Sequence, residues 1–264
     1  MQPPLVDTHC HLDAAEFDSD RAAVAAAARR AGVAAIVVPA VEFSNFPAVQ
    51  DCCARCPHCL AAYGLHPMYI GRHRPEHIAE LRAWVERERP LAVGEIGLDL
   101  FVRELDFATQ EFYYAEQLKV ARDFDLPVLL HVRRANDQIL KHLRRYGITR
   151  GIAHAFNGSL HQAREFLKLG FKLGFGGAVT YSRATHLQQL ARELPREALV
   201  LETDAPDIPP AWIARQRNSP EQLPAIADFI AQLWNCESAA VARQTTANAR
   251  AVLNLPSLSA ETGS

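Results

Sequence analysis

Apolar segments alternate with helix-forming segments along this chain, and this alternation constrains the fold more than any other feature. The clearest apolar segment runs from Val33 to Ala40 and contains no charged residue. Its β-branched residues follow one another without polar alternation, which is typical of a strand buried on both faces in a parallel sheet. Eight such strands, separated by helices at roughly 30 residues per unit, predict an α/β fold of the (β/α)₈ barrel type.

The segments between these strands have the composition of helices. Residues 20–31 are rich in alanine and arginine, and Gly32 follows them, a residue that commonly ends a helix. A doubly wound open sheet is the alternative arrangement of the same elements. No Gly-x-Gly-x-x-Gly follows the first strand, which disfavours the dinucleotide-binding form of that alternative and a nucleotide cofactor. The other predicted strands are residues 4–6, 60–65, 91–96, 127–132, 151–156, 171–175 and 198–201.

The length of 264 residues fits one barrel as well as two domains. Because the strand and helix pattern continues without a linker, we expect a single domain over residues 1–264, with a flexible polar tail after Pro256. No apolar stretch reaches the roughly 18 residues of a membrane helix, and no signal-peptide pattern is present at the N-terminus. We therefore expect a cytoplasmic protein, a monomer, without membrane contact.

The net charge of −2 excludes a global basic field. A protein that coats DNA non-specifically needs such a field, because phosphate neutralisation dominates that kind of binding. Contact with nucleic acid must then come from a local basic patch or through a metal ion.

Two histidines follow the first predicted strand in the segment Asp7-Thr-His-Cys-His11. Side chains alternate along a strand, so His9 and His11 point to the same side, about 7 Å apart, and together can hold one divalent cation. Taken alone, a His-x-His segment is equally well explained by solvated or hydrogen-bonded histidines.

Histidines and acidic residues recur at the ends of later predicted strands, and in a barrel these ends surround a single mouth. The residues are His66, Glu95, His131, His154 and Asp204. A charged side chain within an apolar strand is costly unless it is paired or bound to metal. We therefore expect two divalent cations at the mouth, with Glu95 bridging them. The expected ligands are His9, His11 and Asp204 for one cation, and His131 and His154 for the other. His66 and His154 can each also be hydrogen-bonded core histidines.

Imidazole and carboxylate ligands suit Mg²⁺, Mn²⁺ or Zn²⁺ without selecting strongly among them. Two such ions polarise an ester and lower the pKa of a bound water, so the expected reaction is metal-assisted hydrolysis. Asp204 is the candidate acceptor for the water proton. Glu202 is a candidate base or a group that holds a ligand, and His66 is a candidate donor to the leaving oxygen.

Substrate contacts are expected from residues near these strand ends. Arg133 shares a face with His131 and can bind a phosphate through two hydrogen bonds. Asn218 lies in the basic segment Arg215-Gln-Arg-Asn218, which, like Arg72-His-Arg74, either contacts a nucleic-acid backbone or is a solvated surface. Asp99 either orients a ligand or caps a loop.

Four of the six cysteines lie between residues 52 and 59, which superficially resembles a metal or iron–sulfur site. Val49, Cys52, Cys53 and Cys56 have the spacing of one face of a helix. A free cysteine on such a face behaves as a small apolar residue. We interpret the cluster as the buried stripe of a short helix that ends before Pro57.

Six ordered segments of the chain resemble the signature segments of the TatD-type metal-dependent hydrolases. They are Asp7-Thr-His-Cys-His11, Gly64-Leu-His-Pro67, Gly94-Glu-Ile-Gly-Leu-Asp99, Leu130-His-Val-Arg133, His154-Ala-Phe-Asn-Gly158 and Glu202-Thr-Asp-Ala-Pro206. The resemblance covers residues 5 to 255. It implies an amidohydrolase-like TIM barrel with a two-metal site and deoxyribonuclease activity on DNA ends. The metal ligands that it implies are His9, His11, Glu95, His131, His154 and Asp204.

The chain departs from this family at two segments near the expected substrate cleft. Many members have Tyr where this chain has Leu100, and Glu where it has Ser219. These differences bear on substrate preference and leave the ligand set intact. The expected substrate is single-stranded or end-frayed DNA, cleaved at phosphodiester bonds by a metal-activated water. One alternative is hydrolysis of a carboxylic ester or amide, such as an aminoacyl ester on tRNA or a small lactone, and another is a non-catalytic scaffold or metal store.

Overall fold

The computed structural model describes residues 3–255, and in them it confirms the predicted barrel. Eight strands form one sheet in sequence order, and every neighbouring pair in that order is parallel. This order excludes a doubly wound sheet, in which the strand order reverses at one point. The strands β1 to β8 are Leu5–Asp7, Val33–Pro39, Cys59–Tyr63, Ala92–Asp99, Val128–Arg133, Gly151–Ala153, Lys172–Phe175 and Leu199–Leu201.

Helices separate the strands and pack around the barrel. Helices α1 to α9 are Arg21–Arg30, Phe46–Arg55, Glu76–Glu88, Phe107–Asp123, Asn136–Tyr146, Leu160–Lys168, Thr185–Glu193, Leu223–Trp234 and Ser238–Leu253. The predicted strand bounds hold to within three residues, and the largest differences are at the ends of β4 and β6. Strand β4 continues past residue 96 to Asp99, so Glu95 lies inside a strand rather than at its end.

The barrel closes between β8 and β1 through polar groups. The backbone N–H and the hydroxyl of Thr8 both donate to the carbonyl oxygen of Leu201, at 3.0 Å each. The buried carboxylate of Asp7 accepts from the backbone N–H of Thr203 at 2.9 Å and from its hydroxyl at 2.6 Å. This seam fixes the segment after β1 against the segment after β8, and both segments carry candidate ligands.

The last helix closes one end of the barrel. Small and branched side chains fill the interior, including Val6, Val37 and Ile152, and they pack against Val252 and Leu253 of α9. These contacts lie at the N-terminal ends of the strands, so the opposite end forms the open mouth. In (β/α)₈ barrels the functional site is at that C-terminal end.

The cysteine segment forms part of the core, as the helical interpretation predicts. Val49 and Cys52 are buried on α2, Cys56 is buried just after it, and Cys59 is buried at the start of β3. All six cysteines are free, and no candidate metal group within residues 3–255 contains a cysteine.

None of the helices in the part of the chain described here is long and apolar enough to cross a membrane. The flexible tail expected after Pro256 lies outside the described residues.

Candidate metal centre

His9 and His11 follow β1 and converge at the mouth. Because β1 ends at Asp7, the two histidines do not have the regular spacing of a strand, and their Nε2 atoms come within 3.3 Å of each other. The Nδ1 atom of His11 lies 3.3 Å from the carbonyl oxygen of Pro39. A ring that donates from Nδ1 presents an unprotonated Nε2 to the mouth, which is the form that binds metal.

Glu95 lies between two sets of imidazoles and is only 2% exposed. Its Oε2 atom is 3.0 Å from Nε2 of His9 and 3.6 Å from Nε2 of His11. Its Oε1 atom is 3.0 Å from Nδ1 of His131 and 3.2 Å from Nε2 of His66. Burial alone would raise the pKa of Glu95, but the histidines around it lower that pKa well below its usual value. Each carboxylate oxygen therefore serves a different pair of rings.

Asp204 completes the first set from the loop after β8. Its Oδ1 atom lies 3.4 Å from Nε2 of His154, 3.7 Å from Nε2 of His11 and 3.8 Å from Nε2 of His9. The backbone is held by a hydrogen bond from the N–H of Asp204 to the carbonyl oxygen of His9, at 2.8 Å. Although burial opposes ionisation, these histidines lower the pKa of Asp204, so its carboxylate is ionised at neutral pH.

His154 follows β6 and stacks on His9, with ring centroids 3.6 Å apart. Its Nδ1 atom lies 3.0 Å from Oε2 of Glu202, and the other oxygen of Glu202 accepts a hydrogen bond from the backbone N–H of Ala155 at 2.7 Å. Burial would lower the pKa of His154, but Glu202 and Asp204 together raise it well above its usual value. His154 thus belongs to the mouth and is not an isolated core histidine, while Glu202 holds its ring from behind.

Asp99 orients His131 and also shapes the loop after β4, so both interpretations of this residue hold. Its Oδ2 atom is 3.0 Å from Nε2 of His131, and its Oδ1 accepts hydrogen bonds from the N–H groups of Phe101 and Val102 at 2.9 and 3.0 Å. Burial opposes ionisation, but these bonds lower the pKa of Asp99 to about 2. The anionic Asp99 directs Nδ1 of His131 toward Glu95.

His66 differs from the other rings because its Nδ1 atom accepts a hydrogen bond from the backbone instead of donating one. The backbone N–H of Met68 donates to Nδ1 of His66 at 3.1 Å. A neutral imidazole that accepts at Nδ1 carries its proton on Nε2, which points toward Glu95 and lies 3.0 Å from Nδ1 of His131. Burial lowers the pKa of His66 to about 4, so the ring is neutral and remains a donor at physiological pH.

Within residues 3–255, three groups have ligand atoms that all lie within 4.8 Å of one another. The groups are His9, His11 and Glu95; His9, His154 and Asp204; and His66, Glu95 and His131. The residues present fit divalent cations, because imidazole nitrogens and carboxylate oxygens, two ligand types that such cations accept, converge within these distances.

The structure groups one pair of histidines differently from the prediction. Two nitrogens bound to one ion at about 2.0–2.1 Å each lie within about 4.2 Å of each other. No group in the described part of the chain contains both His131 and His154. The reason is orientation: Glu202 turns His154 toward Asp204, whereas Asp99 turns His131 toward Glu95.

The predicted substrate residues divide into one at the mouth and one in the interior. The side chain of Arg133 is 48% exposed, and its Nη1 lies 3.8 Å from Oδ2 of Asp99. Asn218 is fully buried, and its amide donates to the carbonyl oxygens of Thr203 and Asp207 at 2.8 Å each. The prediction that Asn218 contacts substrate is corrected, since its amide holds the loop after β8.

Arg217, in the same basic segment, also contacts other residues of this chain. Arg217 forms two hydrogen bonds with the carboxylate of Asp20, at 2.8 and 2.6 Å, and its guanidinium lies over the ring of Phe17. Arg217 therefore fixes the loop against the start of α1.

Gly174 is a functional position that sequence reasoning did not identify. A Cβ atom at Gly174 would lie 2.1 Å from Oε2 of Glu202, so only glycine leaves room for the carboxylate beside His154. The only signal in the sequence is the number of glycines in and around β7, namely Gly170, Gly174, Gly176 and Gly177.

The chain is similar to known proteins over nearly all of its length. The family described as TatD related DNase matches residues 6–254. The chain belongs to the TatD family of metal-dependent hydrolases. The resemblance found in the six sequence segments is thereby confirmed.

Relatives in the TatD family cover nearly the whole chain. The uncharacterized metal-dependent hydrolase YjjV of Escherichia coli is 40% identical, over 96% of this chain and 98% of that protein. The 3'-5' ssDNA/RNA exonuclease TatD of Erwinia billingiae is 31% identical, over 96% of this chain and 100% of that protein.

Solved structures support the same fold. The crystal structure of YjjV matches with a TM-score of 0.91 at 39% identity, over 96% of this chain and 98% of that chain. An organophosphorus hydrolase from Deinococcus radiodurans matches with a TM-score of 0.68 at 15% identity, over 95% of this chain and 93% of that chain. The second match shows that the fold is shared with amidohydrolase-type TIM barrels.

Proposed function

We propose that this TatD-family hydrolase is a deoxyribonuclease that cleaves phosphodiester bonds at the ends of single-stranded or frayed DNA. The observation that carries the proposal is the position of Glu95, whose two oxygens face two separate sets of histidines at the open mouth of the barrel. The family description and the name of the Erwinia relative support DNA as the substrate.

The residues that would hold two divalent cations lie on both sides of Glu95. One oxygen of Glu95 faces His9 and His11. Asp204 lies beside these two histidines. His154 contacts Asp204 and stacks on the ring of His9. His131 faces the other oxygen. When bound, such cations polarise the phosphodiester and lower the pKa of water.

Asp204 is the proton acceptor in this proposal. Its carboxylate is ionised, is 14% exposed and faces the mouth. A carboxylate in this position accepts a proton from the attacking water when the two groups are within hydrogen-bond distance. Arg133, at the rim, binds the phosphate through its guanidinium.

His66 is the hydrogen-bond donor to the reacting phosphate or to the leaving oxygen. The N–H of Met68 fixes the tautomer, so Nε2 carries the proton on the side of the ring that faces Glu95 and His131. A donor that is oriented before the reaction stabilises developing negative charge without a cost of reorganisation.

The test uses metal-free protein reconstituted separately with Mg²⁺, Mn²⁺ and Zn²⁺. Turnover is measured in parallel on a labelled single-stranded oligonucleotide and on an aminoacyl ester. We expect the oligonucleotide to be cleaved faster with at least one metal. A faster reaction on the ester would indicate a carboxylic-ester hydrolase, and binding of metal without turnover on either substrate would indicate a non-catalytic metal protein.

Asp204→Asn is the informative variant in this assay. Asp204 has a φ of 58°, a conformation that asparagine tolerates well, so the fold is retained. We expect cleavage of the oligonucleotide to fall on the order of 100-fold or more. Asp228→Asn, on the exposed face of α8, is the matched control, and unchanged turnover in Asp204→Asn would contradict the proposal.

A further inference from the structure

Exposed apolar side chains are concentrated at the mouth. Five large hydrophobic residues in the described range are exposed. Met68, Phe101 and Trp212 follow β3, β4 and β8, so they lie on the rim around the metal centre. The remaining two, Phe107 and Phe112, lie on α4. Exposed apolar groups that cluster around a polar site indicate a binding surface.

Phe101 is the member of this rim that is connected to the metal centre. Its side chain is 45% exposed, yet its backbone is fixed by the N–H bond to Asp99 at 2.9 Å. The preceding N–H, of Leu100, donates to the carbonyl oxygen of Arg133 at 2.8 Å. The same Asp99 carboxylate contacts His131, so one carboxylate connects the backbone of Phe101 to a candidate ligand.

Two arginines share the ring of Phe101. The guanidinium carbon of Arg133 lies 3.9 Å from the ring centroid, and that of Arg134 lies 4.7 Å from it. Arg133 has one carboxylate within 4.0 Å, that of Asp99, which is already engaged by His131. Arg134 has no carboxylate within 4.0 Å among residues 3–255. The group therefore combines an exposed aromatic ring with two guanidinium groups, and among residues 3–255 only that of Arg133 lies within 4.0 Å of a carboxylate.

We propose that Phe101, Arg133 and Arg134 form a nucleotide subsite next to the scissile phosphate, in which a base stacks on the ring or on a guanidinium plane. This inference rests on the proposed function and adds to it the residues that hold the unpaired strand. In single-stranded binding proteins, aromatic rings stack the bases and arginines contact the backbone, with little dependence on sequence. A duplex covers both faces of each base, so the subsite selects frayed or single-stranded ends.

The same chemistry disfavours an apolar protein partner at this place. Covering the ring with an apolar surface would also bury two guanidinium groups without acceptors, which is costly. A nucleotide instead supplies both a flat apolar face and an anionic phosphate.

The first experiment measures binding by the Mn²⁺-loaded chain with Asp204 intact, on strands with non-hydrolysable methylene-phosphonate linkages, so that the probe is not cleaved. Fluorescence anisotropy gives the Kd for a labelled ten-nucleotide single strand, for the same strand with abasic ends, and for a blunt duplex. We expect Phe101→Ala to weaken binding of the intact strand by about 10-fold or more. The abasic strand should bind Phe101→Ala and the parent protein with similar Kd, and Phe101→Tyr should restore binding.

Phe112→Ala is the matched control, because Phe112 is 44% exposed but lies on α4. Equal losses in Phe101→Ala and Phe112→Ala, or a loss in Phe101→Ala that is the same on the abasic strand, would overturn the subsite. Arg134→Gln should lower the slope of log Kd against log salt by about 0.7, as expected for one phosphate contact on a single strand.

Failure of the subsite is distinguishable from failure of the proposed function. Binding of the intact strand that depends on Phe101, without cleavage by the parent enzyme, would contradict the nuclease proposal and leave the subsite supported. Cleavage of the strand with no dependence of Kd or KM on Phe101 would overturn the subsite alone.

Discussion

Nδ1 of His154 lies 3.0 Å from Oε2 of Glu202, while the backbone beside His154 donates to the other oxygen of the same carboxylate. Glu202 is 1% exposed, so it does not reach substrate. An acidic residue behind a metal-binding histidine sets its tautomer and orientation. Glu202 therefore positions His154. A substitution that displaces the carboxylate of Glu202 should weaken metal binding.

Gly174→Ala tests the positioning of His154 by Glu202. The new Cβ would meet Oε2 of Glu202 at 2.1 Å, so the carboxylate must move away from His154. Loss of such a partner lowers metal affinity by roughly 10- to 100-fold, which titration calorimetry with Mn²⁺ measures. Gly71→Ala is the control, since a Cβ there meets nothing within 4 Å. If both variants bound Mn²⁺ like the parent protein, Glu202 would have no positioning role.

Asp99→Asn tests whether Asp99 positions His131 in the way that Glu202 positions His154. Asparagine keeps an oxygen that can accept the N–H groups of Phe101 and Val102, but it replaces the anion facing His131 with a neutral amide. We expect the affinity for Mn²⁺ to fall by roughly 10-fold or more while the melting temperature changes little. Asp51→Asn, on the exposed surface of α2, provides the control. Tight binding of Mn²⁺ by Asp99→Asn would show that His131 needs no anionic partner.

The sequence was sufficient to predict the fold because the strands are mainly apolar segments that alternate with helical ones. Glu95 and His131 were predictable for a related reason: a charged or polar side chain within an apolar strand is costly unless it has a partner. Asp204 was predictable because it follows the last strand closely. The convergence of these residues at one mouth then followed from the barrel itself.

Other features depend on contacts that form only in the folded chain. Which nitrogen of His154 or His131 faces the mouth is set by Glu202 and Asp99, so the grouping of the ligands could not be obtained from spacing. The interior position of Asn218 depends on carbonyl groups that converge after β8 has closed onto β1.

The variant His66→Ala tests whether His66 acts as a hydrogen-bond donor or as a metal ligand. Because the N–H of Met68 fixes the proton on Nε2 of His66, removal of this ring should lower kcat by roughly 100-fold. The number of Mn²⁺ ions bound should stay the same, although their affinity should fall by roughly 10-fold because Glu95 loses one partner. His66→Gln, which retains an N–H donor, should recover part of the lost kcat. Loss of one bound ion in His66→Ala would instead make His66 a ligand.

Asn218→Ala should affect stability and not substrate binding. The carbonyl oxygens of Thr203 and Asp207 would lose their buried donor, which costs about 1–3 kcal/mol of the free energy of unfolding. Urea denaturation measures this loss, and the KM for a single-stranded oligonucleotide should be unchanged below the transition. A raised KM in a variant of normal stability would restore the predicted substrate contact.

The most direct test of the metal centre is titration of metal-free protein with Mn²⁺, comparing the parent chain with Glu95→Gln. Because the two oxygens of Glu95 face different sets of histidines, we expect two ions per parent chain and weaker binding of both ions in the variant, each by roughly 10-fold or more. Binding of two ions with unchanged affinity in Glu95→Gln, or no binding by the parent chain, would contradict the account.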